Sequence, residues 1–236
     1  MSKHSKHIGI VACSAEGAAL CYRTICMEGA NLLGRYTHPE IIMHTFPLCE
    51  YMRYIEKDDW ENVADLMLSS VSKLAKVGAD FAICPDNTIH QAFDLVVKES
   101  PIPWLHIAQE VVTEAKRKEY KCLGVLGTRY LMEGPVYPSK ITATGIKYMI
   151  PEVKDRERIN QIIFDELVNA RFTSEALAYF KGVINELKNK GCDAVILGCT
   201  EIPLLVTQEN SSLPILDSTR LLARAALKKA ISSTSG

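Results

Sequence analysis

The sequence lacks the features that mark several large classes of protein. Among its 236 residues, 27 basic and 28 acidic side chains nearly cancel, and no run of basic residues is present. A surface for nucleic acid or an anionic membrane needs such a basic patch, so we expect neither partner. No apolar run approaches the roughly 18 residues that span a bilayer. The expected partner is therefore a small molecule.

Cysteine is abundant, but its spacing excludes two common uses. The eight cysteines form no Cys-x-x-Cys motif and no Cys/His pairs at zinc-finger spacing, so the sequence predicts no metal site. We expect free thiols in a reducing cytoplasm, most of them packed as small hydrophobic residues. No Gly-x-Gly-x-x-Gly follows a strand and no phosphate-binding loop occurs, so no nucleotide cofactor is expected.

Short apolar runs alternate with long amphipathic segments. Such runs are typical of buried parallel strands. Five of them occur, at residues 7–12, 41–43, 81–83, 123–126 and 194–197. Between them the spacing predicts helices, the clearest over 58–77, where Asp58 is expected to cap the helix and Glu61 to complete a capping box. The sequence therefore predicts an α/β protein with parallel sheets.

The two halves of the chain resemble each other. Residues 78–88 align without gaps with residues 191–201, and a Gly, an Asp and an Ile coincide. Two further segments repeat in the same order at nearly the same offset, 8–13 with 123–128 and 102–106 with 213–217. Three ordered matches predict two similar, pseudo-symmetric α/β lobes with central parallel sheets. We expect the active site in the cleft between the lobes.

The repeat also predicts where the lobes begin and end. The first lobe is expected over residues 1–112, joined by a C-terminal helix within 213–236, and the second over 113–212. The chain is expected to pass between lobes near 107–121. The helix over 218–231 should then cross back onto the first lobe.

Each half supplies a polar turn at the carboxyl end of a strand, where ligands bind in α/β sheets. The first turn, 84–90, contains Asp86, and the second, 198–203, contains Cys199. Helix starts expose backbone N–H groups that favour anions, so carboxylates are the expected ligands. Two opposed acid–base groups can remove a proton from one face of a carbon centre and return one to the other. Asp86 and Cys199 occupy equivalent repeat positions and are the candidates.

The chain resembles the aspartate/glutamate racemases, enzymes that invert acidic amino acids without pyridoxal phosphate. The resemblance covers essentially the whole chain and is most specific at these two turns. The Gly-Cys-Thr-Glu sequence at 198–201 looks like the second catalytic cysteine motif of that family. The Asn-Thr-Ile-His sequence at 87–90 looks like the first motif, in which a cysteine normally precedes Asn-Thr; here that position is Asp86. The Gly-Thr pair at 127–128 resembles the substrate loop. The resemblance implies a cofactor-free isomerase and a homodimer.

The expected site residues fall into two groups. Cys199 and Asp86 are the expected catalytic pair. The expected substrate-binding residues are Ser14, Arg53, Asn87, Thr88, Thr128, Thr200 and Glu201. Arg53 is included because a guanidinium binds a carboxylate through two parallel hydrogen bonds. For Asn87 and the threonines, helix capping is the competing interpretation, and Glu201 either steers the protonation of Cys199 or caps its helix. His90 and His106 are expected to be structural.

The aspartate at position 86 leaves the reaction open. The pKa of a free aspartate is about 3.9, well below that of a thiol, and an ionised Asp86 is a poor proton donor. If burial and anionic neighbours keep it protonated, Cys199 and Asp86 form a two-base pair and the protein racemises aspartate or glutamate. If Asp86 stays charged and holds the substrate ammonium, a one-base isomerisation or decarboxylation of a small carboxylate results. A carboxylate-binding protein without turnover is the third alternative.

Overall fold

The computed structural model describes residues 5–232; the outermost residues of the predicted ranges 1–112 and 213–236 lie outside this part. The strands are β1 (Ile8–Ala12), β2 (Ile41–Thr45), β3 (Phe81–Ile83), β4 (Cys122–Leu126), β5 (Lys147–Met149), β6 (Ala194–Leu197) and β7 (Ile215–Asp217). The helices are α1 (Ala15–Leu33), α2 (Leu48–Ile55), α3 (Trp60–Lys76), α4 (Phe93–Glu99), α5 (Ile107–Arg117), α6 (Arg129–Glu133), α7 (Pro138–Ile141), α8 (Val153–Asp165), α9 (Ser174–Asn189), α10 (Ile202–Leu205) and α11 (Ser218–Ile231).

The strands form two parallel sheets with the same internal order. In the first sheet β1 lies between β2 and β3, and an isolated bridge pairs Ala82 of β3 with Trp104. In the second sheet β4 lies between β5 and β6, and β7 pairs with the far side of β6. The strand order β2-β1-β3 of the first sheet thus corresponds to the order β5-β4-β6 in the second. The predicted α/β class is confirmed.

The chain divides into two compact units. The first comprises Met1–Ile107 with Thr219–Gly236, and the second comprises Ala108–Ser218. These boundaries fall a few residues from the predicted ends at 112 and 212. The later end of the second unit has a clear cause, because β7 pairs with β6 and so belongs to the second sheet. The prediction had grouped its residues with the C-terminal helix.

Each unit has its own apolar core. In the first unit, Ile8, Ile10 and Phe81 of the sheet pack with Leu222 and Leu227 of α11, and all five side chains are buried. The C-terminal helix therefore completes the core of the first unit. In the second unit, the core joins β4 and β6 to the inward faces of α8 and α9. No helix in the described part of the chain is long and apolar enough to cross a membrane.

Helix α3 begins later than the sequence predicts. Asp59, not Asp58, is its N-cap, and the Asp59 carboxylate accepts a hydrogen bond from the Asn62 backbone N–H at 3.2 Å. Asp58 instead adopts a positive φ of 53° in the preceding turn, a conformation that aspartate tolerates better than most residues. The predicted cap at Asp58, and with it the capping box to Glu61, is therefore wrong by one residue.

Candidate active site

In the first unit, the turn after β3 carries Asp86. This turn leads into a short 3-10 helix, Thr88–Ala92. Asp86 is half-buried, whereas Asn87 and Thr88 are buried. Three of the predicted site residues therefore lie in one turn at the carboxyl edge of the first sheet.

His90 holds this turn in place. Its Nε2 lies 3.0 Å from the Cys84 carbonyl oxygen; because a carbonyl only accepts, Nε2 carries the proton. The ring stacks on Phe93 with centroids 5.2 Å apart and lies 4.6 Å from the ring of His106. Both histidines thus have the packing contacts expected of structural residues.

Cys84 does not replace the cysteine that is absent at position 86. Its side chain is fully buried, and its Sγ donates to the Asp86 carbonyl oxygen at 3.8 Å. Burial, reinforced by the nearby Asp86, raises the pKa of the Cys84 thiol well above its ordinary value. Since the thiolate is the reactive form, Cys84 is inert near neutral pH.

Ser14 and Arg53 differ in their surroundings. Ser14 follows β1 and is the N-cap residue of α1; it is buried, and its side chain makes no capping hydrogen bond. Because β1 and β3 are parallel neighbours, Ser14 and Asp86 lie at the same edge of the first sheet. The Arg53 side chain is 62% exposed, and its Nη1 lies 3.7 Å from Oε2 of Glu50. Its role as a carboxylate clamp stays a prediction.

In the second unit, the turn after β6 carries Cys199, Thr200 and Glu201, all buried. The Cys199 thiol donates to Oε2 of Glu201 at 3.0 Å, and the Thr200 hydroxyl donates to the same oxygen at 2.8 Å. Glu201 is also the N-cap residue of α10, but its side chain makes no capping hydrogen bond. Of the two interpretations of Glu201, the contacts favour the one that couples it to the thiol.

The second carboxylate oxygen of Glu201 adds to this picture. Oε1 is buried and has no hydrogen-bond partner among residues 5–232. An unpaired buried carboxylate oxygen is costly. Oε2 thus places a proton acceptor against the Cys199 thiol, and Oε1 can still accept a further hydrogen bond or a proton. This arrangement suits a thiol that must exchange its proton during a reaction.

Two glycines allow the ends of β4 and β6 to approach each other. The Gly198 N–H donates to the Leu126 carbonyl at 2.7 Å. A Cβ on Gly198 would lie 2.8 Å from that same oxygen, and one on Gly127 would lie 2.6 Å from a methyl carbon of Leu131. Next to Gly127, Thr128 caps α6 by accepting from the Leu131 N–H at 3.2 Å, so the capping interpretation of Thr128 is observed.

Neither turn continues into a long helix. The segment after Asp86 is a 3-10 helix of five residues, and α10 has four residues. The sequence led us to expect helix starts that favour anions. Because the macrodipole builds up from many aligned peptide units, such short segments contribute little, and carboxylate binding must rest largely on individual donors.

Sequence reasoning missed Tyr51, which has no accessible surface although its hydroxyl is polar. It lies on α2, whose amphipathic pattern makes a tyrosine look like an ordinary core residue. The informative signal was positional, since α2 follows β2, a strand of the sheet that carries Ser14 and Asp86 at its carboxyl edge. Within residues 5–232 no group of three or more His, Cys, Asp or Glu side chains could hold a metal ion.

Comparisons with known proteins agree with this geometry. The chain is 24% identical over 189 residues to the broad specificity amino-acid racemase RacX of Bacillus subtilis, covering 80% of each chain. The structure of a candidate Asp/Glu racemase from Yersinia pestis is 31% identical to this chain and superposes with a TM-score of 0.87. The match covers 96% of this chain and 100% of that one. The structure of an aspartate racemase homologue from Pyrococcus horikoshii is 25% identical, with a TM-score of 0.83 and the same coverage of both chains.

The match to a family extends over nearly the whole chain. The model of the Asp/Glu/hydantoin racemase family covers residues 10–226, including both polar turns. The resemblance predicted from the sequence is therefore confirmed, as is the enzyme class. The chain belongs to the Asp/Glu/hydantoin racemase family and is an amino acid racemase by class.

Proposed function

We propose that the protein is a cofactor-independent racemase of a small acidic amino acid, aspartate or glutamate. The observation that carries the proposal is the buried contact between the Cys199 thiol and Glu201, at a turn equivalent in the repeat to the one that bears Asp86. The relatives support an amino acid substrate, since one is described as a broad specificity amino-acid racemase and another as an aspartate racemase homologue.

In the proposed reaction the thiol first passes its proton to Glu201. The Cys199 thiolate then takes the α-proton, and the electrons of the C–H bond move into the substrate carboxylate to give an enolate-like anion. Protonated Asp86 returns a proton to the opposite face of the α-carbon, which inverts it. Glu201 then releases its proton to solvent and Asp86 takes one up, which restores the starting state. The opposite enantiomer reacts in the reverse order, from the state in which Asp86 is a carboxylate and Cys199 is a thiol.

The charge that develops on the substrate carboxylate needs hydrogen-bond donors. Ser14, Asn87 and Thr88 at the first sheet edge, and Thr128 at the second, are the proposed side-chain donors. The Thr200 hydroxyl already donates to Glu201, so Thr200 is proposed to donate through its backbone N–H. Buried donors held in place by the fold stabilise developing charge without reorganising. Arg53 is the proposed clamp for a carboxylate.

The first test is proton NMR of L-aspartate, and then L-glutamate, with the enzyme in D₂O, followed by chiral analysis of the amino acid. We expect deuterium at the α-carbon and both enantiomers, because both proton transfers exchange with solvent. Deuterium with retained configuration would contradict two-sided transfer and leave Cys199 as the sole base. Absence of exchange with both substrates would instead favour a carboxylate-binding protein without turnover.

Two substitutions test the assigned roles. Cys199→Ala should abolish turnover from both enantiomers and leave the fold intact, whereas Cys49→Ala, at an exposed cysteine, should behave as the wild type. Asp86→Asn should abolish racemisation yet retain α-proton exchange from one enantiomer; Asp65→Asn on the exposed face of α3 is its control. Full activity of Cys199→Ala, or unchanged racemisation by Asp86→Asn, would overturn the corresponding role.

A second candidate function is a one-base isomerisation or decarboxylation of a small carboxylate. The observation that favours it is the carboxylate of Asp86 at the position where the family motif has a cysteine. If Asp86 stays ionised, it binds a substrate ammonium or repels a second carboxylate, and only Cys199 transfers protons. Product analysis separates the two functions, because this reaction gives a new compound and not the mirror image of the substrate.

A further inference from the structure

The first unit holds a buried hydroxyl that the proposed reaction does not yet use. The Tyr51 side chain has no exposed surface, and its hydroxyl makes no hydrogen bond of ordinary geometry within residues 5–232. It belongs to α2, which begins just after β2. Because β2, β1 and β3 are adjacent and parallel, their carboxyl ends place α2, Ser14 and Asp86 at one edge of the sheet.

A chain of polar side chains leads to this hydroxyl. Lys73 Nζ lies 3.0 Å from His44 Nε2, and His44 Nδ1 lies 3.0 Å from Ser70 Oγ. Burial, and then the charge of Lys73, lower the pKa of His44, so the ring is neutral near pH 7. An ammonium only donates, so Nε2 accepts and the single ring proton sits on Nδ1. His44 therefore donates to Ser70.

The direction of the chain fixes what Tyr51 can do. Ser70 is fully buried and accepts from His44, so its own hydrogen is available to the neighbouring Tyr51 oxygen. Burial, followed by the Cys13 and Cys84 thiols, raises the pKa of Tyr51 well above its ordinary value, and hydrogen bonding from Ser70 opposes the shift only in part. Tyr51 thus keeps its proton and acts as a donor. Because the Ser70 hydroxyl faces its oxygen, the Tyr51 O–H suits an acceptor such as a carboxylate and not an ammonium.

We propose that Tyr51 is a substrate-binding residue, whose hydroxyl donates a hydrogen bond to a carboxylate oxygen of the substrate beside Asp86. Ser70, His44 and Lys73 are positioning residues that turn the hydroxyl toward the ligand. A buried donor without an acceptor is costly, so ligand binding satisfies a group that the fold leaves unsatisfied. The identity of the substrate rests on the proposed function, but the carboxylate chemistry rests on the chain of donors.

The test is Tyr51→Phe, which removes only the hydroxyl. We expect the KM for L-aspartate or L-glutamate to rise by roughly tenfold, with kcat changed little, because one hydrogen bond to a charged group is lost in ground and transition states alike. Calorimetric binding of succinate, a dicarboxylate, should weaken by a similar factor. Tyr179→Phe is the matched control: it loses a 2.6 Å hydrogen bond to Asp155 but should bind succinate as the wild type.

Ser70→Ala separates positioning from packing. It should raise KM in the same direction by a smaller factor and leave kcat near the wild-type value. If the wild type binds succinate but does not racemise, and Tyr51→Phe weakens binding, the proposed function fails while this inference stands. Succinate binding by Tyr51→Phe equal to that of the wild type overturns the inference, as does a wild type that binds no succinate.

Discussion

The thiol of Cys199 and the carboxylate of Glu201 form the best-defined pair of the candidate site. Their 3.0 Å contact is buried, and the Thr200 hydroxyl donates to the same carboxylate oxygen. A thiol reacts as its thiolate, so the rate at which Cys199 acts depends on an acceptor for its proton. The sequence predicted Cys199 and Thr200 from one short motif, but whether Glu201 caps its helix or contacts the thiol depends on a side-chain rotamer that no spacing encodes.

Replacing Glu201 with glutamine keeps the shape and removes the acceptor. We expect Glu201→Gln to lower kcat by about 10²–10⁴ with little change in KM, since general-base assistance is typically worth that factor. Alkylation of Cys199 by iodoacetamide, followed by mass spectrometry, should slow in parallel. Glu152→Gln, which alters an exposed carboxylate paired with Lys190, serves as the control. If Glu201→Gln is alkylated and turns over substrate at the wild-type rates, Cys199 ionises without Glu201.

At the scale of elements, burial in the sheets explains which strands the sequence predicts and which it does not. All five predicted strand runs are strands. Four of them, β1, β3, β4 and β6, are buried at every residue and therefore read as continuous apolar runs. β5 escaped prediction because its residues, Lys147–Met149, lie at an edge and are largely exposed. Tyr51 was not predicted as a site residue for the opposite reason, since a tyrosine on the buried face of an amphipathic helix resembles an ordinary core residue.

The turn between β6 and α10 depends on a close approach of backbone to backbone. A Cβ at Gly198 would lie 2.8 Å from the Leu126 carbonyl oxygen, which cannot move without disturbing β4. We expect Gly198→Ala to lower the free energy of unfolding by about 1–3 kcal/mol and to reduce kcat, because Cys199 is the next residue. Urea unfolding and turnover measure both.

Gly182→Ala provides the matched control for this substitution. Gly182 lies within α9, and a Cβ there meets no atom within 4 Å. Alanine should therefore stabilise the protein by roughly 0.5–1 kcal/mol through helix propensity and leave turnover unchanged. Equal stability of the wild type and Gly198→Ala would contradict the close-approach argument.

At the scale of the whole molecule, one architecture occurs twice in a single chain. The strand order β2-β1-β3 is repeated as β5-β4-β6, and the repeat was visible because its segments are short, apolar and evenly offset. The exact boundaries were not predictable, since the chain leaves the second unit only after β7 and then supplies α11 to the first. Which unit a terminal helix joins depends on tertiary contacts and not on its own pattern.

The contribution of α11 to the first unit gives a test of the two-unit organisation. Leu222 is fully buried in the core formed with β1 and β3, so Leu222→Ala should destabilise that unit by about 2–5 kcal/mol. Because units with separate cores can open separately, hydrogen exchange should speed up in β1 and β3 more than in β4 and β6. Leu187→Ala, in the core of the second unit, should give the reverse pattern. Equal acceleration in both sheets for either variant would mean that the two units unfold only as one.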